Sequence, residues 1–250
     1  MPVHDALGTR MKKYEAVSKT VLMTRTPVAI RVDGKAFHTF TKSLMKPFDN
    51  VFTNSMIQTM EAMSADIQNC VFGYVQSDEI TFILKDYEQL NTSAWFDNEV
   101  QKLCSISASM ATFYFNKFFH ENADRIIRAN PTDNYTVILE RCKDSLAMFD
   151  ARVFNIPREE VVNLIYWRQL DAVRNSIQAC GQAYFSHKQL MHKSCKDIKE
   201  MLIEIDHPWE SLPIFKQRGT CCIRENKQWV TDYSMPILLK DDRDYLERLI

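Results

Sequence analysis

Two acidic positions, far apart in the sequence, stand where the chain is predicted to turn. Asp33 precedes Gly34 at the end of a run rich in β-branched residues, and Asp78 lies with Glu79 between two apolar runs. Two carboxylates at neighbouring strand ends can bridge two magnesium ions about 3.5–4 Å apart, which clamp the attacking and leaving oxygens in phosphoryl transfer. The carbonyl of Gly34 is a further candidate ligand, because a residue without a side chain lets a triphosphate approach the backbone closely.

Basic side chains follow the first of these acidic positions. Lys35, His38 and Lys46 lie in the segment after Gly34, where they could meet the charge of a phosphate. Simpler interpretations stay open for each signal taken alone. An Asp-Gly pair usually marks only a turn, a polar triplet between strands is usually only a hairpin tip, and a lysine before proline is usually a solvated loop charge.

The first part of the chain predicts strands and helices that would position these residues. In chain order they are a strand at 28–34, a helix at 49–63, strands at 71–76 and 80–84, a helix at 95–119 and a strand near 146–154. Alternation along the first strand puts Ala29, Arg31 and Asp33 on one face. Asp49 or Asn50 is the expected cap of the first helix.

Long helical patterns follow at 158–185 and 195–205, the second preceded by a capping box that begins at Ser194. The order of elements predicts an α+β fold with a split βαβ antiparallel sheet, helices on one face and the candidate site on the open face. Residues 151–200 are weakly basic, which fits a solvated helix face as well as an RNA-binding surface.

Composition excludes several classes of protein. The 250 residues include 31 Lys and Arg against 32 Asp and Glu, and the five glycines leave no room for a glycine-rich phosphate loop. The apolar runs are far shorter than the roughly 20 residues that span a bilayer, and the first residues lack a signal-peptide pattern, so we expect no membrane partner and a cytoplasmic location. Seven cysteines without C-x-x-C spacing indicate reduced thiols.

Five blocks of sequence occur together in one order. They are RVDGKAFHTFT at 31–41, Lys46-Pro47 with Asp49, QSDE at 76–79, FDAR at 149–152 and WRQLD at 167–171. In this combination the chain resembles the tRNA-histidine guanylyltransferase family over about residues 10–225. The resemblance implies a polymerase-palm-like catalytic core at 1–155, with a helical extension and C-terminal segment at 156–250 packed as part of the same domain. It also implies nucleotide addition in the 3′ to 5′ direction and a homotetramer.

The resemblance further implies roles for single residues. Asp33, Asp78 and the Gly34 carbonyl would hold two Mg²⁺ ions, and Glu79 would support catalysis by Asp33 and Asp78. The positions implied to contact a nucleoside triphosphate are Asp33, Gly34, Lys35, Ala36, Phe37, His38, Lys46, Asp49, Ser77 and Asp78, with Asp49 near the base. The positions implied to contact tRNA or a second nucleotide are Lys102, Arg152, Arg168 and Asn175. ATP and GTP are the implied substrates, with ATP or GTP activating the 5′-end.

One block departs from the family's eukaryotic branch. That branch has His-Ile-Asn-Asn where this chain has the run VRNS at 173–176. In this respect the chain resembles the bacterial and archaeal guanylyltransferase-like proteins, which restore missing 5′ nucleotides of tRNA by reading the opposite strand as template. We therefore expect template-directed tRNA 5′-end repair or guanylyltransferase activity.

Two rival functions stay open. A palm-type nucleotide cyclase or dinucleotide synthase would also use paired carboxylates, but would consume triphosphate without RNA. A noncatalytic RNA-binding protein would bind tRNA without needing metal. The turn lacks the Gly-Gly tip typical of dinucleotide synthases, and a pure binding surface has no need of carboxylates beside phosphate.

Overall fold

A six-stranded antiparallel sheet forms the centre of the computed structural model, which describes residues 6–226 and 228–250. The strands are β1 (Val28–Gly34), β2 (Cys70–Gln76), β3 (Glu79–Leu84), β4 (Phe149–Asn155), β5 (Thr220–Glu225) and β6 (Gln228–Asp232). They lie in the order β4-β1-β3-β2-β5-β6. A mixed fold of helices and an antiparallel sheet confirms the predicted α+β class.

Helices connect and cover the strands. They are α1 (Ala6–Ala16), α2 (Phe37–Phe40), α3 (Asn50–Asp66), α4 (Val100–Ala129), α5 (Asn134–Asp144), α6 (Val161–Tyr184), α7 (His187–Leu190), α8 (Cys195–Glu204), α9 (Ile214–Arg218) and α10 (Asp244–Glu247). The capping box at Ser194 begins α8 as predicted, since the Ser194 hydroxyl accepts a hydrogen bond from the Asp197 amide. None of the described helices is long and apolar enough to cross a membrane.

The hairpin of β2 and β3 closes more tightly than predicted. Only Ser77 and Asp78 form the turn, and Glu79 is already the first residue of β3. A two-residue connection is possible because Ser77 has a φ of 49°, the positive value that such hairpin turns require. Asp78 therefore stands at the tip of the hairpin, while Glu79 takes a place in the sheet.

One face of the sheet packs against α3 and α4. The Asp49 carboxylate caps α3 by accepting the Phe52 amide at 3.0 Å, which confirms one of the two predicted caps. Helix α4 starts at Val100, later than the predicted 95, because Phe96, Asp97 and Asn98 have positive φ angles of 48°, 52° and 57°, which no right-handed helix contains. It also continues ten residues beyond 119, since its buried apolar stripe continues through Ala123.

The opposite face of the sheet is covered, which corrects the prediction of an open face. Val161 and Ile165 at the start of α6 pack on Ala29, Phe72 and Ile83, together with four C-terminal residues of the same apolar cluster. Those residues are Met235, Leu238, Leu246 and Ile250. The prediction failed because these packing partners lie more than 120 residues after β1 in the chain.

The sheet also gains two strands that were not predicted. Residues 156–250 were expected to form a helical extension and a C-terminal segment without strands, but β5 pairs with β2 and β6 pairs with β5. Thr220–Glu225 is buried through its first four residues, and this short run gives only a weak strand pattern in isolation. Strand β4 is left as one edge of the sheet.

We expect a stability difference between two phenylalanines on α4. The Phe115 ring is fully buried, with its centroid 5.4–5.9 Å from those of Phe37, Phe40, Phe52, Phe119 and Phe149. Phe115→Ala should lower the free energy of unfolding by about 3–5 kcal/mol in urea titrations, through lost burial and a residual cavity.

The matched control is Phe113→Ala on the same helix, where the ring is 63% exposed. That variant should change the free energy of unfolding by less than about 0.5 kcal/mol. Equal losses in the two variants would contradict the described packing of α4.

Candidate active site

The ends of three neighbouring strands bring carboxylates together. In the register of the sheet, Asp33 on β1 lies opposite Glu79 on β3 and opposite Asp150 on β4. The Gly34 amide donates to the Asp78 carbonyl at 3.1 Å, so the hairpin tip is bonded to the end of β1. We call Asp33, Asp78, Glu79 and Asp150 the acidic cluster. The structure thus brings Asp33 and Asp78 together as predicted from the sequence.

Two arginines lie next to the acidic cluster on the same face of the sheet. Arg31 and Arg152 are paired across β1 and β4, two residues from Asp33 and Asp150 respectively. The Arg152 Nη2 atom is 3.9 Å from Asp33 Oδ2 and 3.7 Å from Asp150 Oδ1, while Arg31 Nε is 3.9 Å from Glu79 Oε2. These two arginines therefore border the acidic cluster without forming close ion pairs with it.

Burial raises the pKa of two members of the acidic cluster. For Asp78, desolvation is the largest cause and the charge of Asp33 adds to it, against hydrogen bonds from its own backbone and Ser77. For Glu79, desolvation again raises the pKa, although the guanidinium of Arg168 opposes it. The ionised carboxylates of Asp33 and Asp78 therefore repel each other in a partly dry environment, which a bound cation would relieve.

The oxygen atoms at this site suit a magnesium ion bound together with a substrate, and not a metal ion held by protein ligands alone. Within the described part of the chain, no group of three or more His, Cys, Asp or Glu side chains is arranged to hold a metal ion. Magnesium is commonly held by one or two carboxylates together with waters and substrate phosphates. Asp33 and Asp78, with the Gly34 carbonyl beside them, match that donor set.

The segment after β1 bends back against the core. Ala36 has a φ of 55°, and Phe37 is buried in the aromatic cluster around Phe115. A Cβ atom at Gly34 would lie 2.3 Å from the Phe37 ring, so only glycine allows this close approach. Lys35 and His38 are exposed on this segment, and their contact with a phosphate stays a prediction.

A cleft next to the hairpin tip contains three of the predicted nucleotide contacts. It lies between the start of α3, the end of β2, the middle of α6 and the α9–β5 connection. Lys46, Asp49 and Ser77 line it, and so does Asn175 from α6. Lys46 and Ser77 are exposed there, the Lys46 ammonium donating to the Thr41 carbonyl at 3.2 Å.

The side chain of Asp49 has a structural role in the wall of this cleft. Its buried carboxylate accepts hydrogen bonds from the amides of Met45 and Phe52 and from the Tyr135 hydroxyl, at 2.6–3.0 Å. These bonds connect the Lys46 loop, α3 and α5. The predicted contact between Asp49 and a base would therefore compete with bonds that hold the wall of the cleft.

Arg168 is not exposed, in contrast to its predicted place among the RNA contacts. It is 6% exposed, and its guanidinium donates to Glu79 Oε1 and to Asp171 Oδ2, both at 2.7 Å. The structure thus makes Arg168 and Glu79 a buried ion pair between α6 and β3. One oxygen of Glu79 is therefore already bonded, and its supporting role in catalysis stays a prediction.

Lys102 is not brought to the acidic cluster within one chain. Its ammonium is 3.4 Å from Glu99 near the start of α4. Helix α4 runs antiparallel to β4, with Thr112 bonded to Phe149 and Cys104 beside Val153, so Lys102 lies toward the other end of the strand. Its implied role at RNA or a second nucleotide stays a prediction.

Arg31 and Trp167 were missed as candidate functional residues. The half-exposed Trp167 ring lies over the buried Arg168, and Arg31 lies in the sheet beside it. Alternation had put Arg31 on the face of Asp33, which was the available signal. Trp167 stands in the WRQLD block, but only the path of α6 shows that it lies near β1.

Comparison with known proteins identifies this arrangement. The family model described as "Thg1: tRNAHis guanylyltransferase" matches residues 8–157. A bacterial tRNA(His) guanylyltransferase (Thg1)-like protein in complex with ATP is 38% identical, with a TM-score of 0.84 and coverage of 98% of this chain and 99% of that chain. A structure of such a bacterial protein in complex with GTP is 35% identical, with a TM-score of 0.80 and the same coverage.

A curated relative supports the same family. The tRNA(His) guanylyltransferase of Schizosaccharomyces pombe is 28% identical over 172 residues, which are 67% of this chain and 56% of that protein. The chain is a nucleotidyltransferase by these matches. It belongs to the Thg1 family, which confirms the resemblance found in the sequence.

We expect Asp78→Asn to stabilise the fold at neutral pH. Because the folded pKa of Asp78 lies above its ordinary value of 3.8, the folded state binds this proton more tightly than the unfolded chain does. Ionisation therefore costs stability as pH rises above 3.8, and asparagine removes that cost. Urea unfolding from pH 3 to 7 should show no gain well below 3.8 and an increasing gain above it. A gain that is largest in acid would contradict this account.

The ion pair of Arg168 and Glu79 can be tested with a double-mutant cycle. Arg168→Met leaves a buried carboxylate without its partner and should lower the free energy of unfolding by about 3–5 kcal/mol. Adding Glu79→Gln should recover part of this loss, because the uncompensated charge is gone. Strictly additive losses measured in urea would mean that the two side chains do not interact.

Proposed function

We propose that this protein adds nucleotides in the 3′ to 5′ direction to the 5′-end of tRNA, directed by the opposite strand as template. The 5′-monophosphate would first attack the α-phosphate of ATP or GTP, forming an activated 5′-end and releasing pyrophosphate. The 3′-hydroxyl of an incoming nucleotide would then attack the activated phosphate and displace the activating group. The observation that carries the proposal is the pair Asp33 and Asp78 at bonded strand ends, next to the cleft of Lys46 and Ser77.

The proposal assigns a role to each side chain around the phosphate. Asp33, Asp78 and the Gly34 carbonyl would hold two Mg²⁺ ions, which when bound lower the pKa of the attacking hydroxyl and neutralise developing charge. Lys35, His38 and Lys46 would hold the triphosphate, since all three side chains are exposed around this end of the sheet. The turn at Ser77 would fix the position of Asp78 relative to that triphosphate.

The substrates follow from the family and from chemistry. Similar bacterial proteins bind ATP and GTP, and the S. pombe relative is described as acting on tRNA(His). The chain is nearly neutral overall, so it is unsuited to hold RNA by charge alone. If Watson–Crick pairing with the template selects the incoming base, the protein need only hold the helix end by shape and phosphate contacts. A homotetramer and a cytoplasmic location stay predictions from the sequence.

One assay separates this function from its rivals. The protein is incubated with magnesium, labelled nucleotides and a tRNA that lacks its first nucleotide, and the position of the label is mapped. Label at the RNA 5′-end supports the proposal. Conversion of triphosphate to a cyclic or dinucleotide product without RNA would support the cyclase or synthase, and RNA binding without any reaction would support the noncatalytic protein.

We expect Asp33→Asn and Asp78→Asn each to lower incorporation at least about 100-fold, because each removes a negative oxygen from the proposed ion site. Excess magnesium should not restore the rate fully, and binding of tRNA should change little. Asp206→Asn is the control, since Asp206 is exposed beyond α8 and has no part in the proposed chemistry. Near-normal incorporation by either cluster variant would refute the site assignment.

A further inference from the structure

An unusually exposed tryptophan stands close to the acidic cluster. Trp167 is 52% exposed, although Val161, Leu164 and Ile165 on the same helix are buried under the sheet. Tryptophan is enriched at binding interfaces, because it combines a large apolar surface with a polar N–H group. None of the roles proposed above uses it.

The indole ring is held in place from inside the protein. The Arg168 Cζ atom lies 4.4 Å from the ring centroid. Arg168 is itself fixed by its bonds to Glu79 and Asp171. Because the cation under the ring is buried and bonded twice, the ring has a rigid support and a half-open surface.

Arg31 adds a positive charge beside this ring, and its side chain is 16% exposed. Its Cζ atom lies 5.8 Å from the Trp167 centroid, and its Nε atom has no hydrogen-bond partner among the described residues. Its approach to Glu79 is only 3.9 Å. Arg31 also stands two residues from Asp33 on the same face, about 7 Å along the strand. Arg152, exposed on the edge strand β4, is paired with Arg31 in the register of the sheet.

We propose that Trp167 is the surface on which the 5′-terminal base of the RNA stacks, with Arg31 and Arg152 facing its phosphate. Unpaired or terminal bases of RNA are bound by aromatic rings, and guanidinium groups suit phosphates. The placement puts the terminal nucleotide beside Asp33, where its 5′-phosphate must react. This inference rests on the proposed function and specifies how that function's RNA is positioned.

The test compares Trp167→Ala with wild-type protein in binding to a tRNA that lacks its first nucleotide. We expect the affinity for this RNA to fall at least about fivefold, the loss typical of one removed base–aromatic stack. The affinity for ATP without RNA should stay unchanged, and Trp167→Phe should keep most of the RNA affinity. Addition of RNA should quench the tryptophan fluorescence of wild-type protein, and Trp167→Phe should lose most of this quenching.

Tyr184→Ala is the matched control, because Tyr184 is a part-exposed aromatic residue on the same helix, about 25 Å away along its axis. It should bind RNA as wild-type protein does. Unchanged RNA affinity in Trp167→Ala, or a loss of ATP affinity with RNA binding intact, would overturn the stacking assignment alone. Failure of wild-type protein to bind the tRNA at all would instead contradict the proposed function.

Discussion

The pairing of β1 between β3 and β4 is the constraint on which the rest of the candidate site depends. In this register Asp33 meets Glu79 and Asp150, and the Gly34 amide reaches the hairpin tip. A shift by one residue would turn Asp33 toward the α3–α4 side of the sheet, where Val32 is now buried. All six residues of β3 are buried, so apolar packing on both faces opposes such a shift.

The same register creates an electrostatic cost. Asp33 and Asp78 are placed near each other, and burial makes ionisation of Asp78 and Glu79 less favourable. Arg168 compensates Glu79 directly, whereas Arg31 and Arg152 remain at the border of the cluster. Uncompensated charge of this kind is common at functional sites, because a substrate or ion supplies the missing partner. This arrangement costs stability, and the proposed cations and phosphates would supply the missing partners.

Helix α6 connects the core to the site. Its first turns close the second face of the sheet, and the following turn brings Arg168 to Glu79 and the indole of Trp167 above it. Its middle then forms one wall of the cleft next to the hairpin tip. The second face of the sheet is covered, but the candidate site remains accessible at the strand ends. There α6 adds side chains to those of the sheet.

Short-range patterns in the sequence were sufficient for β1, the β2–β3 hairpin and the Asp49 cap of α3, because alternation, a polar turn and a capping side chain each involve a few neighbouring residues. The five ordered sequence blocks also predicted Asp33, Gly34 and Asp78 as candidate site residues. The burial of Arg168, the exposure of Trp167 and the addition of β5 became evident only in the folded chain. Arg168 bonds to Glu79, which is 89 residues away in the sequence. The residues next to an arginine in the sequence do not indicate whether its guanidinium will face water or a buried carboxylate. Such outcomes depend on which distant surfaces pack together, since burial is a property of the whole fold.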